Sequence, residues 1–406
     1  MSEARPLPTL VVAAALALGS AVSLGLARFA YALLLPAMRV DLGWSYFTAG
    51  AMNTVNAAGY LVGALVAPPC LRRYGARTVL VVATAATALA LAAHGAVAGD
   101  RALYALRLLS GAVSAPSLIA GAVLAAGLGG PGAGRGRGVI PSGLTLGLYY
   151  GGTGVGIVAA ALLVPIVAGG DAAHAWQPAW IALGIVALVA TALLAFATRG
   201  LNAPAAATAA RVGGERFRWR PFAPGLAAYL LFGVGYIGYM TFVVTMLREQ
   251  ELEPALVTSF YAMLGVAVIA SSWLWAGMLQ RFRGGESLAI LSALLALATL
   301  LPVASAHPLA VFASGLLFGA VFLSLVTSTT ALVRHNLAPS LWAAGIGAFT
   351  TLFAAGQIVG PALVGFVADR AGGLRAGLAC SAAVLALGAL AAWRQKPLAA
   401  QSEPPR

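Results

Sequence analysis

Hydrophobic positions run along this chain in long blocks, each closed by a short cluster of Gly, Pro, Arg and acidic residues. The blocks lie at Thr9–Ala37, Trp44–Ala67, Ala76–Ala98, Ala102–Leu128, Val139–Ala168, Ala175–Thr198, Phe222–Leu247, Pro254–Leu279, Ser287–Ala306, Pro308–Val333, Leu341–Ala368 and Leu374–Trp393. A helix crossing roughly 30 Å of hydrocarbon needs about 20 mostly apolar residues. Helices are the expected form, because each satisfies its own backbone hydrogen bonds where no water can. The pattern therefore predicts an all-α membrane protein of twelve transmembrane helices. The first block is too long for a signal-peptide core, lacks a small-residue cleavage site and runs on through Arg28, so it is expected to stay as helix 1.

Composition agrees. Hydrophobic residues make up 61% of the 406 and charged ones 9%, against about half and about a quarter in a soluble domain. The net charge of +13 suggests nucleic acid until the basic residues are placed. Seventeen of the 24 Lys and Arg fall in the terminal segments and alternate loops on one side, while the other side holds only Arg39, Arg101, Arg248, Arg370 and Arg375. That bias places both termini in the cytoplasm and explains the charge without nucleic acid. Cys70 and Cys380 have no metal-ligand spacing and stand in opposite halves, so neither a disulfide framework nor a zinc site is expected. No metal and no cofactor is expected.

The longest polar break, Arg199 to Arg220, divides the chain in two. Its RVGGERFRWR end suits anionic lipid headgroups, but reads first as an ordinary cytoplasmic linker. The expected organisation is an N-terminal six-helix bundle (1–198), a linker (199–221), a C-terminal six-helix bundle (222–393) and a cytoplasmic tail (394–406). The Gly-rich run GGPGAGRGRG lacks the Lys-Ser/Thr ending of a phosphate-binding loop.

The halves repeat one another. Gly25-x-x-Arg28-Phe-x-Tyr31 aligns with Gly233-x-x-Tyr236-Ile-x-Tyr239; Gly147, Gly151 and Gly156 align with Gly356, Gly360 and Gly365; Arg72-x-x-Gly75 aligns with Arg281-x-x-Gly284. The register is nearly constant, as a duplicated bundle leaves it. Six helices per copy give both copies the same orientation, so a pseudo-two-fold axis along the membrane normal is expected. The Gly-x-x-x-Gly spacings, including Gly59 and Gly63, put small residues on one helical face, where backbones approach closely. Such faces suit either rocking helices or static packing.

In the segments Gly25–Met38, Asp41–Gly50, Gly59–Leu65, Phe232–Phe242 and Gly356–Gly373 the chain resembles the major facilitator superfamily of transporters, specifically its YbfB/YjiJ-like group. The resemblance implies two pseudo-symmetric six-helix bundles, a cavity lined by helices 1, 4, 7 and 10, alternating access, and a place in the bacterial inner membrane as a monomer. The superfamily's Gly-x-x-x-Asp-Arg-x-Gly loop falls on Pro68 to Gly75 and Gly277 to Gly284, with Arg72 and Arg281 at the Asp position. The gate pairing that this Asp supports in the superfamily is thus not expected in its usual form. Arg72 and Arg281, with the aligned glycines, are expected to matter for conformational change.

Two cations lie inside helices. An Arg near the bilayer centre costs about 2.5–3.5 kcal/mol even on the lenient insertion scale, so Arg28 and Arg107 are expected to face a cavity or a partner. Helical spacing brings Tyr31 near the face of Arg28, and Ser110 and Ser114 to the face of Arg107. Asn53 and Asn56 extend the polar wall on helix 2, with Tyr236 and Tyr239 facing from helix 7. Tyr236 and Leu316 are expected to take the places of the two arginines in the second half. A carboxylate or phosphate can be gripped by two parallel hydrogen bonds, so the expected function is secondary transport of a small solute, specifically an organic anion. Competing readings are Arg107 snorkelling to the surface, Arg28 capping carbonyls or pairing with Asp41, and efflux of neutral or amphipathic compounds. A membrane enzyme or receptor is disfavoured: His94, His174, His307 and His335 sit at helix ends or in loops, and no acid lies in a helix core. No catalytic residue is assigned. With no midplane carboxylate for a relay, exchange, facilitated flux or proton transfer with the substrate is expected.

Overall fold

The computed structural model describes residues 8–128, 142–168, 173–201, 217–370 and 372–398. The Gly-rich run, most of the central linker and the end of the tail lie outside the described residues. Among the described residues twelve helices are long and apolar enough to cross a membrane. They are α1 Thr9–Asp41, α2 Tyr46–Tyr74, α3 Ala76–His94, α4 Asp100–Leu128, α5 Gly143–Val167, α6 Gln177–Ala197, α7 Arg220–Glu249, α8 Pro254–Arg281, α9 Glu286–Ala304, α10 Pro308–Asn336, α11 Pro339–Arg370 and α12 Gly373–Trp393.

Local sequence sets the ends. Ser45 caps α2 by accepting the Thr48 N–H at 3.1 Å, and prolines stand in the first turns of α6, α8 and α10, where their missing N–H costs nothing. Gly75 (φ +79°) and Gly372 (φ +85°) make the sharp reversals into α3 and α12. Large apolar side chains such as Leu65 (69% exposed), Ile166 (80%) and Leu390 (63%) point outward, as a lipid-facing belt requires.

Glycines hold each half together. A Cβ placed on Gly59 or Gly63 of α2 would lie 2.0 or 2.1 Å from the Leu108 or Ala112 carbonyl of α4. Gly156 of α5 abuts Ala21 and Gly25 of α1, and Gly356 and Gly360 of α11 abut Leu230 and Val234 of α7. The α1–α5 and α7–α11 contacts are equivalent as helix pairs, but Gly156 against Gly25 matches Gly356 against Gly233, so on α5 and α11 the structure departs from the aligned register, which set Gly156 opposite Gly365. The aligned glycines do not act as one set, however. Gly147 is buried. Gly151 faces Ile269 of α8 at ordinary contact distance, and Gly365 abuts Tyr46 of α2. Leu316 corrects another expectation: it is 53% exposed on α10 and turns away from the space between the halves, because the alignment fixes its height and not its face.

The halves meet along α2–α11, α5–α8 and α1–α7. The tightest seams are Gly50 against the Pro361 carbonyl, then Gly154 against Gly265 and Gly365 against the Tyr46 carbonyl. Every cross-half hydrogen bond among the described residues lies at mid-depth or toward the face opposite the termini, the far face. Arg39 of α1 pairs with Glu249 of α7 at 2.9 Å, and Tyr46 of α2 donates its hydroxyl to the same carboxylate at 2.7 Å. Asp369 of α11 accepts the backbone N–H of Tyr46 and Phe47 at 2.9 and 2.8 Å. Deeper in, Thr54 reaches the Ile358 carbonyl and Tyr261 the Phe29 carbonyl. On the termini face, α4 and α5 make no extensive packing against α10 or α11 among the described residues. Among the described residues the halves are tied together at the far face and at mid-depth rather than at the termini face.

Candidate functional site

The middle of α1 is not a regular α-helix. Ala21–Phe29 winds as a π-helix, with the Ala30 N–H reaching the Gly25 carbonyl at 3.0 Å. The widening occurs where Gly25 lets α1 press against Gly156. Such wide turns re-aim side chains and concentrate at functional sites. Arg28 stands in this stretch, 4% exposed. Its guanidinium lies 5.6 Å from the centre of the Tyr60 ring on α2, and its buried Nε and Nη2 have no hydrogen-bond partner among the described residues. Asp41 does not serve it: that carboxylate accepts from His174 Nδ1 and Trp176 Nε1, each at 2.6 Å. The ion pairs among the described residues, Arg39–Glu249 and His174–Asp41, both leave Arg28 aside.

Arg107 of α4 has the opposite character. It is 1% exposed and turns inward, not up to the surface. Nη1 donates to the Ala27 carbonyl at 3.0 Å, Nη2 donates to Asn53 Oδ1, and the guanidinium covers the Tyr31 ring at 4.6 Å. Asn53 Nδ2 continues to Thr241 Oγ1 of α7 at 2.7 Å, and Asn56 Nδ2 donates to the Arg107 carbonyl and to Ser110 Oγ. Tyr31 donates to the Ala49 carbonyl at 2.9 Å, and Ser114 to the Gly111 carbonyl. Arg107, Tyr31, Asn53, Asn56, Ser110 and Ser114 thus share one buried network or its edge, with most donors already engaged.

The second half faces Arg28 with rings. Tyr236 of α7 stacks near-parallel with Phe232 (4.9 Å), Phe322 of α10 (5.1 Å) and Phe353 of α11 (5.5 Å). Phe353 also stacks on Tyr229 at 4.9 Å. Further along α7, Tyr239 stacks on Phe318 at 4.1 Å and shares a hydrogen with Ser314 at 2.6 Å. Arg28 sits over Tyr60 of its own half, and the next residue, Phe29, meets Phe322 of the wall edge-on at 5.7 Å. Tyr60, Tyr150 and Phe353 keep part of their surface open. One unpaired cation therefore faces an aromatic wall across the interface between halves.

The structure sets Arg28 beside Tyr60 and Tyr236 in the wall of the other half, puts Tyr239 farther along that wall, and leaves Arg72 and Arg281 exposed at the termini face. Tyr60, Tyr150, Phe322 and Phe353 escaped the sequence reading, because single aromatic residues in apolar helices carry no spacing rule that separates a wall from packing. Among the described residues no group of three or more His, Cys, Asp and Glu is placed to hold a metal.

A sequence model described as "Uncharacterised MFS-type transporter YbfB" matches residues 20–393. No curated protein matches the chain. Among solved structures, the nucleoside transporter NupG superposes with a TM-score of 0.68 at 16% identity, covering 95% of this chain and 100% of that one. A bacterial homolog of the human lysosomal transporter Spinster, inward-facing and unoccupied, gives 0.70 at 16%, covering 95% and 97%. The human organic anion transporter MFSD10 gives 0.61 at 16%, covering 95% and 100%.

Proposed function

Because the chain belongs to the family of uncharacterised MFS-type transporters typified by YbfB, we propose that it carries a small organic anion across the membrane by alternating access, with Arg28 holding the anionic head. The observation that carries this reading is the Arg28 guanidinium, buried with free donors and without a carboxylate partner. A buried unpaired charge is costly, and an anionic ligand arriving from water supplies the missing acceptor oxygens. With the termini in the cytoplasm, as the distribution of basic residues favours, the far face is external and this conformation opens inward. Rocking about the α2–α11 and α5–α8 seams would then expose Arg28 to the other side. The protein is taken to work as a monomer in the bacterial inner membrane. No carboxylate of the described residues lies in a helix core, so exchange, facilitated flux or protons moving with the substrate are favoured over a carboxylate relay.

Flux into liposomes containing the purified protein, run with organic anions, cations and neutral solutes, tests the reading. Anions are expected to move, and Arg28→Gln to lower kcat/KM by about 10- to 150-fold, the worth of a hydrogen bond to a charged group at roughly 1.5–3 kcal/mol. Transport of neutral compounds that survives Arg28→Gln overturns it in favour of efflux of neutral or amphipathic compounds, a reading the aromatic wall also suits.

A further inference from the structure

We infer that the substrate is a flat aromatic monocarboxylate, its carboxylate on Arg28 and its ring laid against the Phe353–Tyr236 wall. This rests on the anion reading and narrows it by two independent observations. The first is the number of free charges. Arg107, the other buried cation, already spends its Nη donors on the Ala27 carbonyl and Asn53 and its face on Tyr31. Among the described residues only Arg28 keeps unpaired buried donors on two of its nitrogens, Nε and Nη2. Those two nitrogens form one edge of a planar fork, which matches the two oxygens of one carboxylate in parallel hydrogen bonds. A dianion would bring a second charge, and Arg107 keeps only its Nε unpaired, so it offers no second two-nitrogen edge to receive one.

The second observation is the shape of the opposite wall. Phe353 lies within 15–20° of the planes of Tyr229, Phe232 and Tyr236, so the wall presents ring faces in nearly one orientation. Phe353 is the half-open member of that stack, and Tyr60, over which Arg28 sits, is half-open on the other side. Aromatic pairs in stacked geometry gain energy beyond the area they bury, by an amount equal to about a two- to tenfold preference per pair. A saturated ring of the same charge and similar volume gains the burial without the stacking. The wall offers ring faces and no charge, which fits a ligand with one anionic end and one flat aromatic end.

The test uses the full-length protein in detergent and in liposomes, with benzoate, cyclohexanecarboxylate and phenyl phosphate as probes for binding by calorimetry and for flux. Benzoate is expected to bind at least about threefold more tightly than cyclohexanecarboxylate. Phe353→Leu is expected to bring that ratio close to one, and Arg28→Gln to weaken both ligands by tenfold or more. If both carboxylates bind equally and both depend on Arg28, the aromatic inference fails while the anion reading stands. If phenyl phosphate binds more tightly than benzoate, the single-charge inference fails. If no anion shows Arg28-dependent binding or flux, the anion reading itself fails.

Discussion

Removing the Asp369 carboxylate should unlatch the far face. Asp369 belongs to α11, yet it accepts the first two N–H groups of α2, those of Tyr46 and Phe47, at 2.9 and 2.8 Å. It is an N-cap supplied by the other half of the molecule, and it sits at the positive end of the α2 dipole. Loss of a cap costs about 0.5–2 kcal/mol; at this exposed position about 1 kcal/mol is appropriate. That energy exists only while the far face is closed, so Asp369→Ala shifts the closed–open equilibrium about fivefold toward open. The Arg39–Glu249 pair, 25% and 35% exposed, adds under about 1 kcal/mol in water. Because Glu249 and Asp369 both hold Tyr46, the Asp369→Ala, Glu249→Ala double variant should depart from simple additivity. Spin labels at Val40 and Leu309, 78% and 76% exposed at the far ends of α1 and α10, read the opening as a second, longer distance. Cys70 and Cys380 are replaced first. An unchanged distance distribution in Asp369→Ala refutes the latch, as does an equal shift produced by Ser45→Ala, which removes a cap from within α2's own half.

Arg107→Gln should lower the melting temperature, through loss of hydrogen bonds worth about 1.5–3 kcal/mol each to a charged donor; Arg28→Gln should leave it unchanged or raise it, and thermal unfolding in detergent compares the two. Gly59→Ala drives a Cβ to 2.0 Å from a carbonyl of its own bundle and should destabilise by about 1–3 kcal/mol, whereas Gly50→Ala, 2.2 Å from Pro361 across the seam, should favour far-face opening with less loss of stability, read with the same spin labels. Asp41→Asn should loosen the contact with His174 and Trp176 but leave any response of flux to an imposed pH gradient intact; loss of that response makes Asp41 the titrating group.

The twelve spans, their order and the duplication were legible because each is written in runs or repeated spacings of many residues. The site was legible only in part, and the reason is directional. Sequence places Arg28 and Arg107 in neighbouring helices at related depths, but not which carbonyls lie within reach. The π-helical turn at Ala21–Phe29 breaks the regular 3.6-residue count on which face assignments rest. Arg28 and Tyr31 therefore do not share a partner: Tyr31 lies beneath Arg107, and Arg28 lies over Tyr60. Asn53 likewise reads as a cavity residue from its position, whereas its two polar atoms are occupied by Arg107 and Thr241. Leu316 shows the same limit from the other side: the alignment that set it in the place of Arg107 left its direction open, and it is exposed.

The loops that close the superfamily's cytoplasmic gate also bear on which conformation this chain favours at rest. Arg72 and Arg281 occupy the acidic position in both copies of that loop, and both are exposed, so two positive charges stand where an acid would attract a neighbouring base. Like charges at the termini face do not hold the halves together there, whatever their distance within a Debye length of about 8–10 Å. At the far face the signs are complementary: Glu249 and Asp369 engage Arg39 and the positive end of α2. These two faces together predict that the far-closed form is favoured without substrate. Arg72→Asp with Arg281 left in place supplies the missing opposite charge, and is expected to populate the far-open form in the Val40–Leu309 distances. Because such exposed attraction is screened, the gain should shrink as salt rises from about 0.01 to 1 M; a shift that ignores salt would mean the substitution acts through helix packing and not through charge.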